Sequence, residues 1–262
     1  MAEVVVLIPH YNTIDALIKS IKSIDEPIEI DIYIVDDGSS TKPKKSNFEF
    51  YKFGNVIIDG YKTNKGIEYA LNYGLKKILK KKYDFIARLD CADTSLPNRF
   101  YKQVEFLKNN LDISFIGTWV NIVNEKGEFL YTHKTPVKHE DIKNKMYLNA
   151  MFIHPTICFR PYIIDDVGYY PTDFKAAEDF AFFFKVIKKY KTANIPEALV
   201  NVETSDVGIS GSKRKQQVKM RIKIILKHFY FGFYPLYGLL RNVVLLLVSR
   251  RISTAIKKIL YR

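Results

Sequence analysis

Val4-Val5-Val6-Leu7-Ile8-Pro9-His10-Tyr11-Asn12 sets the architecture. The run over 4–8 is continuously apolar and mostly β-branched, which reads as a buried strand, and it breaks at Pro9. After a short polar loop Ile14, Leu17, Ile18, Ile21 and Ile24 recur at helical spacing, so the chain opens as strand, loop, helix. Residues 30–35 read as a second strand running into Asp36-Asp37-Gly38-Ser39, and 56–58 as a short third. Ile67, Ala70, Leu71, Leu75, Ile78 and Leu79 mark a helix, which Lys80-Lys81-Lys82 end before a strand over 85–89. Such alternation implies an α/β protein with parallel strands covered by helices. Ligands of such sheets bind beyond the carboxyl ends of the strands, and the loops at 9–12, 36–39 and 90–93 all fall there. Further on, 122–131 reads as two strands around a turn, with helices expected near 139–148 and 179–190.

Composition bounds the answer. With 262 residues and 47% hydrophobic content, the chain can bury a full core in one catalytic domain plus an appendage. The net charge of +13 favours polyanionic partners: nucleic acid, anionic lipid or a diphosphate-bearing substrate. A nucleic-acid partner is disfavoured, because the 18 Tyr and 18 Phe lie largely in apolar runs and the lysines are scattered over helices. Cys91 and Cys158 are the only cysteines and stand at no zinc spacing, which suits a reducing cytoplasm. The apolar start is too short for a signal sequence or a membrane span, and no basic leader precedes it.

Three acidic sites carry candidate chemistry, and each has a plainer reading. Asp36-Asp37 at a strand end can accept hydrogen bonds from a base or ribose, yet Asp-Asp-Gly-Ser is also good turn chemistry. Arg88-Leu89-Asp90-Cys91-Ala92-Asp93 sends two carboxylates and an arginine to the rim, where they can hold Mg²⁺ or Mn²⁺ against a departing diphosphate. Asp93 can instead cap the helix that follows, whose first turn would include Pro97. Glu178-Asp179 precedes an aromatic helix, a place for a general base or simply for acids that favour a helix N-terminus. His154 in His154-Pro155-Thr156 is a substrate-contact candidate, against the commoner role of a satisfied core or loop histidine.

Taken in order, Ile8-Pro9-His10-Tyr11-Asn12, Val35-Asp36-Asp37-Gly38-Ser39, Asn64-Lys65-Gly66-Ile67, Arg88 to Asp93 with Pro97-Asn98-Arg99-Phe100, His154-Pro155-Thr156 and Ala177-Glu178-Asp179-Phe180 resemble family-2 glycosyltransferases with the GT-A fold. The resemblance covers 3–205 and is strongest to the bacterial O-antigen and capsule branch. It implies inverting transfer from a UDP- or dTDP-linked sugar with Mn²⁺ or Mg²⁺. By that resemblance Pro9, Tyr11 and Asp37 surround the uracil or thymine, Arg88 and Asp90 flank the nucleotide, Asp93 binds metal and Asp179 is the catalytic base. Arg99, His154 and Glu178 are expected near the substrates. Family members often carry acids at both the third and fourth positions of the 90–93 motif, and here the third is Ala92. The Gln-x-x-Arg-Trp motif of processive relatives such as cellulose synthases is absent: the only tryptophan is Trp119, and Gln216-Gln217 leads into Val218-Lys219-Met220. Addition of one sugar is therefore expected rather than polymerisation.

The resemblance divides the chain into a catalytic domain over 1–210, with the nucleotide sugar over 1–115 and the acceptor side over 116–210, and a basic, aromatic tail over 211–262. In the tail, 213–227 reads as a basic helix with Val218, Ile222, Ile225 and Leu226 on one face, and 229–248 is strongly apolar. Arg241-Asn242 in the middle of that stretch argues against a span. A helix lying in the membrane interface fits better, with Tyr230, Tyr234 and Tyr237 at headgroup level and Arg250, Arg251, Lys257, Lys258 and Arg262 on anionic lipid. The alternative is a helical pair packed on the catalytic domain. The expected setting is peripheral, on the cytoplasmic face of the inner membrane, with a saccharide linked to undecaprenyl diphosphate as acceptor. Rival readings are a nucleotidyltransferase, which would want a Gly-rich basic loop where Pro9-His10-Tyr11-Asn12 stands, and a catalytically degraded sugar-binding homologue.

Overall fold

The computed structural model describes residues 2–204 and 214–247. β1 (Val4–His10) lies between β2 (Ile30–Asp37) and β4 (Phe85–Arg88), and β3 (Val56–Tyr61) flanks β2, all parallel. Strands covered on both faces must be apolar throughout, and every residue of β2 and β4 is buried. The two faces separate by parity. Val4, Val6 and Ile8 pack with Leu17 and Ile21 of α1 (Ile14–Lys22), while Val5 and Leu7 pack with Leu71 and Leu75 of α2 (Ile67–Ile78).

β5 (Thr94–Ser95) and α3 (Arg99–Asn109) follow, and then the expected turn: β6 (Ile113–Val123) and β7 (Phe129–His133) form an antiparallel hairpin. After α4 (His139–Lys145), the two-residue β8 (Cys158–Phe159) bridges β4 and β6, antiparallel to both. α5 (Ile163–Val167) and α6 (Glu178–Lys189) lead to β9 (Lys191–Glu203), which runs parallel to β6 and completes a nine-stranded sheet. β9 holds Pro196, which removes a ladder donor, and the sheet absorbs it in a bulge: Thr118 pairs with Ile195 and Trp119 with Ala198. This is the mixed α/β GT-A architecture.

The C-terminal helices α7 (Arg214–Lys227) and α8 (Phe233–Leu247) pack back onto this body. α7 buries Val218, Ile224 and Ile225, while Leu226, expected on the buried face, is 53% exposed. His228 stacks flat on Phe184 of α6, with ring centroids 5.0 Å apart, and its carbonyl accepts the Tyr147 hydroxyl at 2.7 Å. Arg241 makes the docking specific. Arg241 Nη1 donates to the Leu148 carbonyl at 2.5 Å, and Asn242 is buried with its amide on the Gly238 carbonyl. Gly238 lies so close to the Tyr147 carbonyl that a Cβ would sit 2.2 Å from its oxygen. No helix among the described residues is long and apolar enough to cross a membrane. The expected boundary at 210 and the cations at 250–262 lie outside the described residues.

Candidate active site

β1, β2 and β4 end at one rim, and their loops enclose a cavity of about 710 Å³ lined by Pro9, Tyr11, Asp37, Asp90 and, from the facing helix, Glu178. The loops hold one another through buried polar pairs. His10 Nε2 accepts the Thr13 N–H at 3.2 Å, so its Nδ1 carries the proton and donates to Asp36 Oδ1 at 2.9 Å. Asp36 Oδ2 accepts the Ser39 N–H at 3.2 Å. The adjacent carboxylates thus divide the two roles left open by the sequence: Asp36 turns inward as loop structure and Asp37 turns to the cavity. Asp37 also accepts the Lys65 and Gly66 N–H groups, each at 2.8 Å, which fixes the 64–66 turn beside the cavity. Burial raises its pKa, and those two amides oppose the rise.

At the end of β4, Arg88 is buried and ion-paired with Asp90, while its Nε has no partner. Ala92 takes a left-handed φ of 79°, which reverses the chain. Asp93 is consequently carried behind the rim: it is 6% exposed, accepts the Glu203 N–H at 3.1 Å and does not line the cavity. Burial, with the Asp90 charge adding to it, pushes the Asp93 carboxyl well above the usual range. Nor does Asp93 cap α3. Glu26 does so from across the molecule, accepting the Phe100 and Tyr101 N–H groups at 2.8 and 3.0 Å. Arg99 is fully buried and clamps the carbonyls of Arg88 and Pro155 at 2.7 and 2.6 Å. His154 pairs with the Tyr170 hydroxyl at 2.9 Å, and burial drives its pKa well below the ordinary histidine range. None of Arg88, Arg99 and His154 lines the cavity; Arg88 meets it through its ion pair with Asp90.

Glu178 and Asp179 open α6. Glu178 is buried against the cavity with Oε2 unpartnered, and burial together with the neighbouring Asp179 raises its pKa to about 7. Asp179 is half-buried, accepts the Phe180 N–H at 2.7 Å and does not itself line the cavity. Burial raises its pKa, and the Arg221 guanidinium of α7 pulls the other way. Glu68 and Lys175 also line the cavity. Glu68 was signalled by the Asn64-Lys65-Gly66-Ile67 motif just ahead of it, where Gly66 at φ 109° turns the chain into α2. Lys175 carries no such signal. A wider hollow of about 830 Å³, lined by Lys80, Lys81 and Lys82, lies at the amino ends of β2 and β3, away from these groups.

The pattern of Glycosyl transferase family 2 matches residues 5–168. The chain belongs to that family. This inverting glycosyltransferase is 33% identical over 138 residues to the O-antigen biosynthesis glycosyltransferase WbnJ of Escherichia coli, a match covering 52% of each protein. It is 26% identical, over 88% of its length and 84% of the relative's, to the E. coli UDP-Gal:alpha-D-GlcNAc-diphosphoundecaprenol beta-1,3-galactosyltransferase. Its fold is shared with S. aureus TarS 1-349, at TM-score 0.65 and 16% identity over 90% of this chain and 68% of that one. It is shared equally with the mannosyltransferase PcManGT of Pyrobaculum calidifontis, solved with GDP-Man and Mn²⁺, at TM-score 0.62 and 16% identity over 95% and 70%.

The 90–93 loop offers a divalent metal one carboxylate, Asp90, and leaves the rest of its shell to substrate phosphates. Among the described residues no three His, Cys, Asp or Glu side chains gather, Ala92 supplies no carboxylate, and Asp93 is spent on a backbone amide. Asp90 is the one carboxylate of the 90–93 loop that lines the cavity, and Arg88 already neutralises it.

Proposed function

We propose that this glycosyltransferase moves one hexose from a UDP-sugar, with inversion, to a saccharide linked to undecaprenyl diphosphate, in building a bacterial surface polysaccharide. The observation that carries the reading is a cavity at the carboxyl ends of parallel strands, lined by Glu178 at the start of α6, with Asp179 next to it in the chain. The printed names of WbnJ and of the galactosyltransferase supply the substrate class. Pro9, Tyr11 and Asp37 are assigned to the base, with Arg88 and Asp90 beside the phosphates. Asp179 takes the proton from the acceptor hydroxyl as that oxygen bonds to the anomeric carbon. The bond from that carbon to the diphosphate breaks on the opposite face, and UDP leaves. Glu178, in reach of the same cavity, is assigned to hydroxyls of the bound sugars. Mn²⁺ or Mg²⁺, expected from the resemblance, is given no step.

The tail is assigned to the membrane surface. Phe231 is 99%, Phe233 72%, Leu236 63% and Leu240 60% exposed, so α8 is docked through one face and apolar on the other. Lys215, Lys219, Lys223 and Lys227 of α7 are exposed at four-residue spacing, a cationic stripe suited to anionic headgroups. The test of the transfer is nucleotide release by purified protein with membrane extract, across UDP-, GDP- and dTDP-sugars. Release from a UDP-sugar that Asp179→Asn abolishes supports the reading. Silence with every donor, from folded protein, overturns it in favour of a sugar-binding homologue without activity.

A further inference from the structure

A basic helix such as α7 is expected to point its cations at solvent, and Lys215, Lys219, Lys223 and Lys227 do so. Arg221 does not. Its guanidinium lies over the Phe180 ring, 5.3 Å from the centroid, and Nη1 donates to Asn149 Oδ1 at 2.9 Å, while Nε is buried without a partner. Burying a guanidinium for one neutral hydrogen bond is unfavourable, so the site needs a charge to justify it. The residue before Phe180 is Asp179, and the two charges act on each other: Arg221 lowers the pKa of Asp179, and Asp179 supports the charge that burial of Arg221 disfavours.

We propose that Arg221, packed on Phe180 beside Asp179, is a positioning residue for the base, so that the reaction centre is completed by the same C-terminal helices that carry the exposed apolar face. This rests on Asp179 being the base. Other groups facing Asp179 are Asp90 from the β4 loop, Glu178 beside it with Glu68 beyond, the Tyr170 hydroxyl, and Arg241 of α8 behind Arg221. Asp90 and Glu178 disfavour the ionised base, and the Arg221 charge opposes them. The dependence runs one way: with Arg221 removed, Asp179 takes up its proton at higher pH, and the acid limb of kcat moves up.

The test is kcat against pH at saturating donor and acceptor, on the full chain. Arg221→Gln should raise the acid limb by about one pH unit and so lower kcat by up to about 10-fold on that limb, with donor KM within about twofold. Arg221→Lys should bring the limb back toward wild type, and Lys126→Gln, an exposed cation of the turn between β6 and β7, should change nothing. Arg221→Met, which stays packed on Phe180, reads the same limb should the Gln variant not fold. Asn149→Asp keeps Arg221 but gives it a competing carboxylate, and should move the limb in the same direction. A wild-type limb in Arg221→Gln or Arg221→Met, with Asp179→Asn inactive, overturns the inference and leaves the base standing. Transfer retained by Asp179→Asn overturns the base assignment itself.

Discussion

The two sides of the cavity are built on opposite terms. On the donor side, polar groups other than Arg88 Nε satisfy one another: His10, Asp36, Ser39 and the Thr13 amide close a circuit, and Asp37 fixes the 64–66 turn through both of its oxygens. On the acceptor side, Glu178 Oε2 and Arg221 Nε are buried without partners, and burial raises both carboxylates that open α6. A closed circuit makes a rigid seat, whereas buried groups left short of partners keep their free energy available for a ligand or a proton. The difference teaches where binding and chemistry divide: affinity for the nucleotide should sit with the strand loops, and turnover with α6 and the helix behind it.

The largest expected effect falls on the acceptor side. Asp179→Asn keeps the shape of the side chain and removes the base, so transfer should fall by about 10²- to 10⁴-fold while donor KM stays near wild type. Initial rates at varied donor concentration measure both, and a variant that lost donor binding instead would break the division. Next comes the surface of α8. Phe233→Glu, Leu236→Glu and Leu240→Glu together remove three exposed apolar side chains, each worth about 1.5 kcal/mol or more when buried in lipid, so partition onto anionic vesicles should drop at least about 100-fold. Sedimentation with vesicles reads it, and unchanged binding would leave α7 and α8 as packing alone.

A smaller effect is expected on the donor side. Asp36→Ala leaves the His10 and Ser39 donors buried without an acceptor and should cost about 2 kcal/mol of stability. Urea unfolding should show a lower midpoint at unchanged slope. Donor KM should rise while kcat holds, the reverse of the Asp179→Asn pattern.

Much of the donor side was legible because parallel strands buried on both faces write themselves as apolar runs, and the loops after them must share a rim. What stayed hidden was decided by single residues. Pro196 concealed β9, since a proline inside a run argues against a strand until a partner bulges around it. β8, at two residues, is too short for any periodicity. Which of two neighbouring carboxylates faces the cavity depends on backbone geometry that spacing does not record: Asp37 rather than Asp36, and Asp90 rather than Asp93, with Ala92 left-handed between them. Arg221 was concealed by company, as one cation among many in a helix whose lysines are exposed.

Ala92 also allows the finest test of the contrast. Its left-handed φ of 79° is strained for alanine and better tolerated by aspartate, so Ala92→Asp should fold at no cost in stability. The new carboxylate would stand between Asp90, which lines the cavity, and Asp93, which does not. One or two carboxylates with substrate phosphates suffice for Mg²⁺ or Mn²⁺, so a second carboxylate at the rim should lower the Mn²⁺ concentration for half-maximal activity by about tenfold. A Mn²⁺ titration of wild type and variant at fixed donor reads it directly. An unchanged titration would mean that position 92 does not face the diphosphate, and Asp90 would then have to answer for the donor side alone. A sharpened one would locate the phosphates at the 90–93 loop and leave the acceptor hydroxyl to the far wall, where Glu178 and Asp179 open α6.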